Sequence, residues 1–244
     1  MRSLAVFSVK GGVGKSALAV NLAHAAAMLS ARRTLLWDLD PQGAATYTLR
    51  LKPRPDASAR KGIAGGVLQP LIQASDFARL DVLAADKSLR HLEKQLAEDD
   101  KAKRLKKLIK SLDKDYDRVI LDCPPGLTEL ADQVFRAVDL IVVPLLPSPL
   151  SVRAFDQLLD HLGKHHKNSA PAVLPVFSMV DRRKTLHRDT VAAHPERAAI
   201  PYAAAIEAMA TSRSPVLARN ATSPAARALA GLWRDVERTL TALQ

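Results

Sequence analysis

The chain has 244 residues, of which 48% are apolar, with 15 prolines spread along its length; that is enough for one large core. Its formal net charge of +11 implies attraction to polyanions, either nucleic acid or an anionic membrane surface. A single cysteine, Cys123, excludes a disulfide framework or a cysteine-ligated cluster within one chain; with no apolar run near the roughly 18–20 residues of a membrane span and no charged leader before a long apolar stretch, the expected location is the cytoplasm.

SLAVFSV, residues 3–9, is short, apolar and partly β-branched, the pattern of a buried strand. Glycines follow, then SALAVNLAHAAAMLSA, residues 16–31, whose alanines and leucines predict a helix. RTLLWDLD, residues 33–40, is a second strand stopped by Pro41. KPRPDASARKGIAGG, residues 52–66, reads as loop because of its prolines and three glycines. LDVLAA, residues 80–85, is a short strand. Across residues 99–112, Leu105, Leu108, Ile109 and Leu112 share one helical face. RVILDCPP (118–125), VDLIVVPLL (138–146) and AVLPVFSMV (172–180) are further strands. The tail spaces Leu229, Leu232, Trp233, Val236, Leu240 and Leu243 as an amphipathic helix.

Apolar strands alternating with helices predict one doubly wound α/β domain over residues 1–244, a mostly parallel sheet flanked by helices. Ligands of such sheets gather at the carboxyl ends of the strands. The glycine run and residues 38–41, 122–125 and 178–181 all fall there, so they can converge on one site.

A loop between a buried strand and a helix N-terminus offers amide hydrogens and a positive helix dipole to an anion. Gly11, Gly12 and Gly14 let that backbone wrap close to phosphate oxygens. Lys15 is placed to reach the β- and γ-phosphates, and the Ser16 hydroxyl to ligate Mg²⁺. The ordinary phosphate-loop pattern asks for a glycine five positions before Gly14; here that position is Val9, followed by Lys10.

That variant, KGGVGKS, resembles the deviant Walker A motif of the ParA/MinD family of ATPases. The resemblance implies the P-loop NTPase fold, with residues 10–17 (Lys10, Gly11, Gly12, Val13, Gly14, Lys15, Ser16 and Ala17) around ATP and Mg²⁺. It makes Lys10 the signature lysine, reaching the phosphates of the opposite subunit while Lys15 acts within its own. LLWDLDPQGAAT resembles the family's segment after the second strand: Asp40 matches the acid that orients the attacking water, and Asp38 a companion near the metal. DRVILDCPPG resembles the Walker B region, with Asp122 holding Mg²⁺ and Cys123 a small core residue. FSMVDRRKTLHRDTV resembles a segment near the adenine, where Asp181 is a base contact and Pro201 a neighbour farther on. Many ParA-type chains carry Pro-Arg-Asn in that region; here IPYAAAIEAMATSRSPV puts Tyr202 and alanines in its place.

By this resemblance the chain is an ATPase with weak basal turnover, stimulated by a ParB-like or adaptor protein, and a homodimer when ATP-bound. The first expectation is nonspecific DNA binding and cargo positioning on the nucleoid. Its support is basic clustering: Lys101, Lys103, Arg104, Lys106, Lys107 and Lys110 on one predicted helix, and Arg182, Arg183, Lys184 and Arg188 after a strand end, with Arg213 and Arg219 adjoining. The alternatives are a MinD-like membrane-surface ATPase or a metabolic ATP-dependent enzyme of the same fold. A membrane anchor would be a terminal amphipathic helix with a basic polar face. The tail instead mixes Arg234 and Arg238 with Asp235 and Glu237, the composition of a helix packed on its own domain.

Overall fold

A computed structural model describes residues 1–54, 58–91, 104–167 and 169–243. Among them the strands are β1 (Arg2–Val6), β2 (Thr34–Asp38), β3 (Ile72–Ala74), β4 (Leu80–Leu83), β5 (Arg118–Asp122), β6 (Leu140–Leu145), β7 (Ala172–Val180) and β8 (Ala198–Pro201). They form one sheet in the order β3-β4-β2-β5-β1-β6-β7-β8. Only β3 runs antiparallel to its neighbour, on the outer edge. This is the doubly wound, mostly parallel arrangement of a P-loop NTPase fold.

Both faces of the sheet are covered, which is why its central strands read as continuous apolar runs rather than alternating ones. Ala5, Phe7, Leu35, Trp37, Val119 and Leu121 face the helices Arg104–Ser111, Glu129–Ala137 and Pro149–His165. Leu4, Val6, Leu36, Ile120 and Val142 face α1 (Lys15–Leu29) and the helix Pro224–Ala242. The strands expected from the sequence are present, most of them shorter at one or both ends. β3 and β8 carried no signal, since IQA and AAIP are too short for a period to show.

Residues 52–66 hold a helix, Ala59–Gly65, where loop was expected. The Ser58 hydroxyl accepts from the Lys61 amide and caps it, and left-handed Gly66 ends it. Gly62 is there for contact: a Cβ on it would lie 2.3 Å from Leu71 Cδ1. Of the helix expected over 99–112, the described part, Arg104–Ser111, buries Leu105, Leu108 and Ile109. Lys101 and Lys103 lie outside the described residues.

The terminal helix buries Leu229, Leu232, Trp233, Val236 and Leu240 against the sheet and α1, while Leu243 is exposed. Arg118 grips Glu237 through two bonds, Nε to Oε1 at 2.7 Å and an Nη to Oε2 at 3.0 Å. Trp233 Nε1 donates to Ser30 Oγ at 2.8 Å. The apolar face that a membrane anchor would need is thus spent on the protein core. Among the described residues no helix is long and apolar enough to cross a membrane. Trp233→Ala is expected to lower stability by about 3–5 kcal/mol, the range for emptying a buried aromatic site; urea unfolding of the two proteins measures it.

Candidate functional site

The chain leaves β1 at Val6, runs through Phe7, Ser8 and Val9, and turns at the glycines into α1. Gly14, at the helix N-cap, has φ 86°, a left-handed conformation that glycine adopts without strain. It is also crowded: a Cβ there would sit 3.1 Å from Ser178 Oγ and 3.6 Å from Met179 Cε. Gly14 therefore brings the phosphate loop against the end of β7.

A cleft of about 420 Å³ opens over this loop, lined by Gly11, Gly12, Gly14, Lys15, Ser16, Ala17, Asp40, Gln42 and Pro125. The segments ending β1, β2 and β5 thus meet as the topology requires. Val13 is buried beneath the loop. Lys15 is only 7% exposed, and its Nζ donates to the Lys10 carbonyl at 3.2 Å. Burial pulls its pKa down, while the nearby Asp122 and Asp40 carboxylates pull the other way. Lys10 does not line this cleft. It borders a small separate cavity with Ser8, Val9, Val143 and residues of the helix Pro149–His165.

The acids differ sharply in what they touch. Asp40 lines the cleft, and its Oδ1 accepts from the Gln42 amide at 2.9 Å. Asp38 is fully buried. Its Oδ2 accepts from the Thr46 amide at 2.8 Å and the Thr46 hydroxyl at 2.7 Å, and its Oδ1 from the Asp40 amide at 3.2 Å. Burial still pushes its pKa up to about 6. Asp38 was expected near the metal, and it stands beside Asp122 in the β2–β5 register, with both oxygens engaged by protein donors that fix the Asp40 turn.

Asp122 is the contrary case. Both oxygens are buried without a hydrogen-bond partner. The Ser16 hydroxyl lies near enough to favour the ionised form but completes no bond of full geometry. Burial first, and the Asp38 charge second, hold the Asp122 pKa well above the carboxylate range. A buried, unpartnered carboxyl beside a hydroxyl and an anion-binding loop is a donor set that suits Mg²⁺, a hard cation taking oxygen ligands. Burial also pushes the Cys123 thiol up, in keeping with a packing role.

Gly14 and Ala17 also line a second, mostly apolar cleft of about 250 Å³, walled by Leu18, Ser178, Met179, Ile200, Pro201, Tyr202, Ile206 and Leu229. Asp181, expected as a base contact, lines neither cleft; Arg183 takes its carboxylate through two bonds of 2.9 Å, holding its pKa down to about 2. Thr46 and Ile206 were missed by sequence reading, while Ser178 and Tyr202 were placed near the site without a role. Their nearest signal is the αL backbone of Met179, where β7 and β8 shift register, which only the fold exposes.

The basic residues do not form one patch. Arg182, Arg183, Lys184 and Arg188 are exposed around the start of the helix Thr185–Ala192. One Arg188 amino group donates to the Arg182 carbonyl and the other to Thr185 Oγ1. Arg182 and Lys184 have no carboxylate partner among the described residues. Arg213 stacks on Tyr47, with its guanidinium carbon 4.5 Å from the ring centre, and donates to the Tyr47 carbonyl. It is held at the helix Ala44–Thr48. Arg219 is exposed in the last turn of the helix Val216–Arg219.

A glycine-lined anion cradle at the head of a doubly wound sheet, with a buried acid at the end of β5, defines a P-loop nucleotide-binding protein. A family model described as an AAA domain matches residues 1–173. The sporulation initiation inhibitor protein Soj of Bacillus subtilis is 31% identical over 189 residues, covering 75% of this chain and 74% of that protein. The chromosome partitioning protein ParA of Myxococcus xanthus is 33% identical over 167 residues, 64% of this chain but only 56% of that relative's length. Among solved structures, cobyrinic acid a,c-diamide synthase of Mycobacterium smegmatis with bound ADP and magnesium has a TM-score of 0.82 at 26% identity, covering 100% of this chain and 97% of that one. The cell division ATPase MinD of Pyrococcus furiosus, at 23% identity and TM-score 0.79 over 97% of this chain and 98% of its own, shares the fold. The chain belongs to the ParA/MinD family of P-loop ATPases.

Proposed function

We propose that the chain acts as one ATPase domain over residues 1–244 that forms an ATP-dependent sandwich dimer, binds DNA without sequence preference and positions a plasmid, chromosome or protein cargo. The observation that carries this is the division of labour between the two loop lysines: Lys15 is buried in the phosphate cleft, whereas Lys10 stands outside it. A loop built that way is completed by a second copy. The relatives named for chromosome partitioning and for sporulation control favour a positioning role over a metabolic ATP-dependent enzyme of the same fold.

In this reading the amides of residues 11–17 and Lys15 hold the triphosphate of ATP. Ser16 and Asp122 would hold Mg²⁺, whose part is to neutralise charge on the phosphates. Asp40 orients the attacking water, and Asp38, fixed by Thr46, holds the Asp40 turn in place. The apolar cleft takes the adenine between Pro201, Ile200 and Met179. Turnover is slow until a ParB-like or adaptor protein acts on the dimer, as expected of a protein at work in the cytoplasm on the nucleoid.

For DNA, Arg182 and Lys184 at the β7 end, without a carboxylate partner among the described residues, are supported by Arg188 and Arg219. Fluorescence anisotropy on duplexes of unrelated sequence, with ATP present, tests this. Equal affinities are expected, falling steeply with salt as counterions are released. Arg182→Glu with Lys184→Glu should weaken binding to all duplexes alike and lower the log–log salt slope by about 2. Tight binding to anionic vesicles with none to DNA at the same ionic strength would move the protein to the membrane-surface reading.

A further inference from the structure

Away from the nucleotide clefts, the helices Glu129–Ala137 and Pro149–His165 bring together a separate group of ligating side chains. Asp132 Oδ1 lies 2.8 Å from His161 Nε2 and 2.7 Å from the Nε2 of His166, the residue that follows the second helix. All three ligand atoms fall within 4.8 Å of one another. The His166 side chain is fully buried, while Asp132 and His161 are 21% and 20% exposed. The group therefore has a closed inner end and an open outer one. His165 is exposed at that outer end, its ring centre 4.6 Å from that of His161.

We propose that Asp132, His161 and His166 form a transition-metal site of the zinc class, pinning the helix after β5 to the helix after β6. Two imidazoles and one carboxylate are donors that zinc takes at about 2.0–2.2 Å, and three protein ligands leave a fourth position for water or His165. Imidazole suits zinc and its neighbours, whereas Mg²⁺ and Ca²⁺ prefer oxygen. The cation suited to Asp122 and Ser16 is thus no competitor here.

The fit is close but needs a small opening. Bonds of that length set tetrahedral ligand atoms about 3.3 Å apart, so each Nε2 to Oδ1 contact must widen by roughly half an ångström.

The outer shell sets the strength. His166 Nδ1 is buried with no hydrogen-bond partner. When Nε2 ligates a metal, that nitrogen carries the proton, and the Phe135 ring, 5.7 Å away edge-to-face, is a weak acceptor at best. A missing outer-shell acceptor lowers affinity by about 10–100-fold against a complete site. The metal is accordingly one that exchanges, not one locked in by folding. Its occupancy would stiffen the helix that follows the Asp122–Pro125 loop, whose Pro125 borders the phosphate cleft.

Chelator-stripped protein without an affinity tag, and without nucleotide, should be titrated with Zn²⁺ against a colorimetric chelator and with Co²⁺ by visible absorption. One equivalent is expected to bind, with the strong absorption of four-coordinate Co²⁺. His161→Ala and Asp132→Asn should each weaken Zn²⁺ binding by about 100-fold or more, since losing a ligand costs at least as much as losing its support. His161 is partly exposed on a helix, so alanine there should preserve the circular dichroism spectrum; Asp132→Asn keeps the shape of its side chain and is the second arm. No saturable uptake by the unmodified protein, or uptake unchanged in both variants, overturns the proposal. Loss in His165→Ala without loss in Asp132→Asn also overturns it, because the metal would then sit on the exposed His161 and His165 pair.

Discussion

Without nucleotide, Asp122→Asn protein is expected to be more stable than the unmodified chain, and with Mg²⁺ and ATP it should be inactive. Both results have one cause. The Asp122 oxygens are buried with no hydrogen-bond partner, so the fold carries a polar group whose compensation comes only with a bound cation. Leaving such a group unpaired costs about 1–3 kcal/mol. The amide, which has no charge to desolvate, should recover about 1–2 kcal/mol of that. The pH dependence separates this from a packing effect. A carboxyl whose pKa rises on folding retains its proton to higher pH in the folded state than in the unfolded one. Stability is therefore greatest below the unfolded value, 3.8, and declines as pH climbs towards the folded value. Asp38, raised to about 6, contributes the same sign between roughly pH 4 and 6. The advantage of Asp122→Asn over the unmodified protein should thus be small near pH 4 and grow towards neutrality, as read from urea midpoints. An advantage that is constant with pH would show that charge burial at Asp122 is not its origin. Addition of Mg²⁺ and ATP should raise the melting temperature of the unmodified protein far more than that of the variant.

Lys10→Ala should retain ATP binding and lose turnover. The glycine backbone and Lys15 line the phosphate cleft, and Lys10 does not. Nucleotide affinity measured with a fluorescent ATP analogue is therefore expected to stay within a few-fold, whereas Lys15→Ala should lose it. Cations supplied across an interface are worth about 10³–10⁵ in the rate of phosphoryl transfer, so hydrolysis should fall on the order of 10³-fold. A lysine near a triphosphate gains that weight only when the interface closes and excludes water. Lys10→Ala protein that turns over at the unmodified rate would leave the lysine with no part in the site.

The legible parts of the site were those whose meaning lies in adjacent residues. Gly12, Gly14, Lys15 and Ser16 act as a unit because a tight turn feeds a helix N-terminus, and that requires contiguity. Asp122 could be placed because an apolar strand ends on it. What stayed hidden depends on pairings across the fold. Asp38 stands beside Asp122, but that Thr46, eight residues on, takes its Oδ2 with both amide and hydroxyl could not be read from the chain. That the nearby Arg183 guanidinium takes the Asp181 carboxylate was equally out of view. Arg213 was grouped with the cations after β7, whereas Tyr47, far away in the chain, provides its ring and carbonyl. The Asp132 group joins residues from two helices, and the adjacent His165 and His166 give no hint that only His166 turns inward.

The central claim is that each active site is shared between two copies, and mixing two inactive variants tests it most directly. Lys10→Ala and Asp40→Ala proteins, each alone, should hydrolyse almost no ATP. In a mixed dimer the Lys10→Ala subunit keeps its own Asp40 and receives Lys10 from its partner, so one complete site is restored. At equal amounts and random pairing, about a quarter of the unmodified activity should return, since half the dimers are mixed and one of their two sites is intact. Activity that rises with the square of total protein at low concentration would accompany it. If Lys10 instead serves the site of its own chain, neither site of the mixed dimer is complete. No recovery on mixing, with dimers demonstrated by sedimentation, would contradict the account.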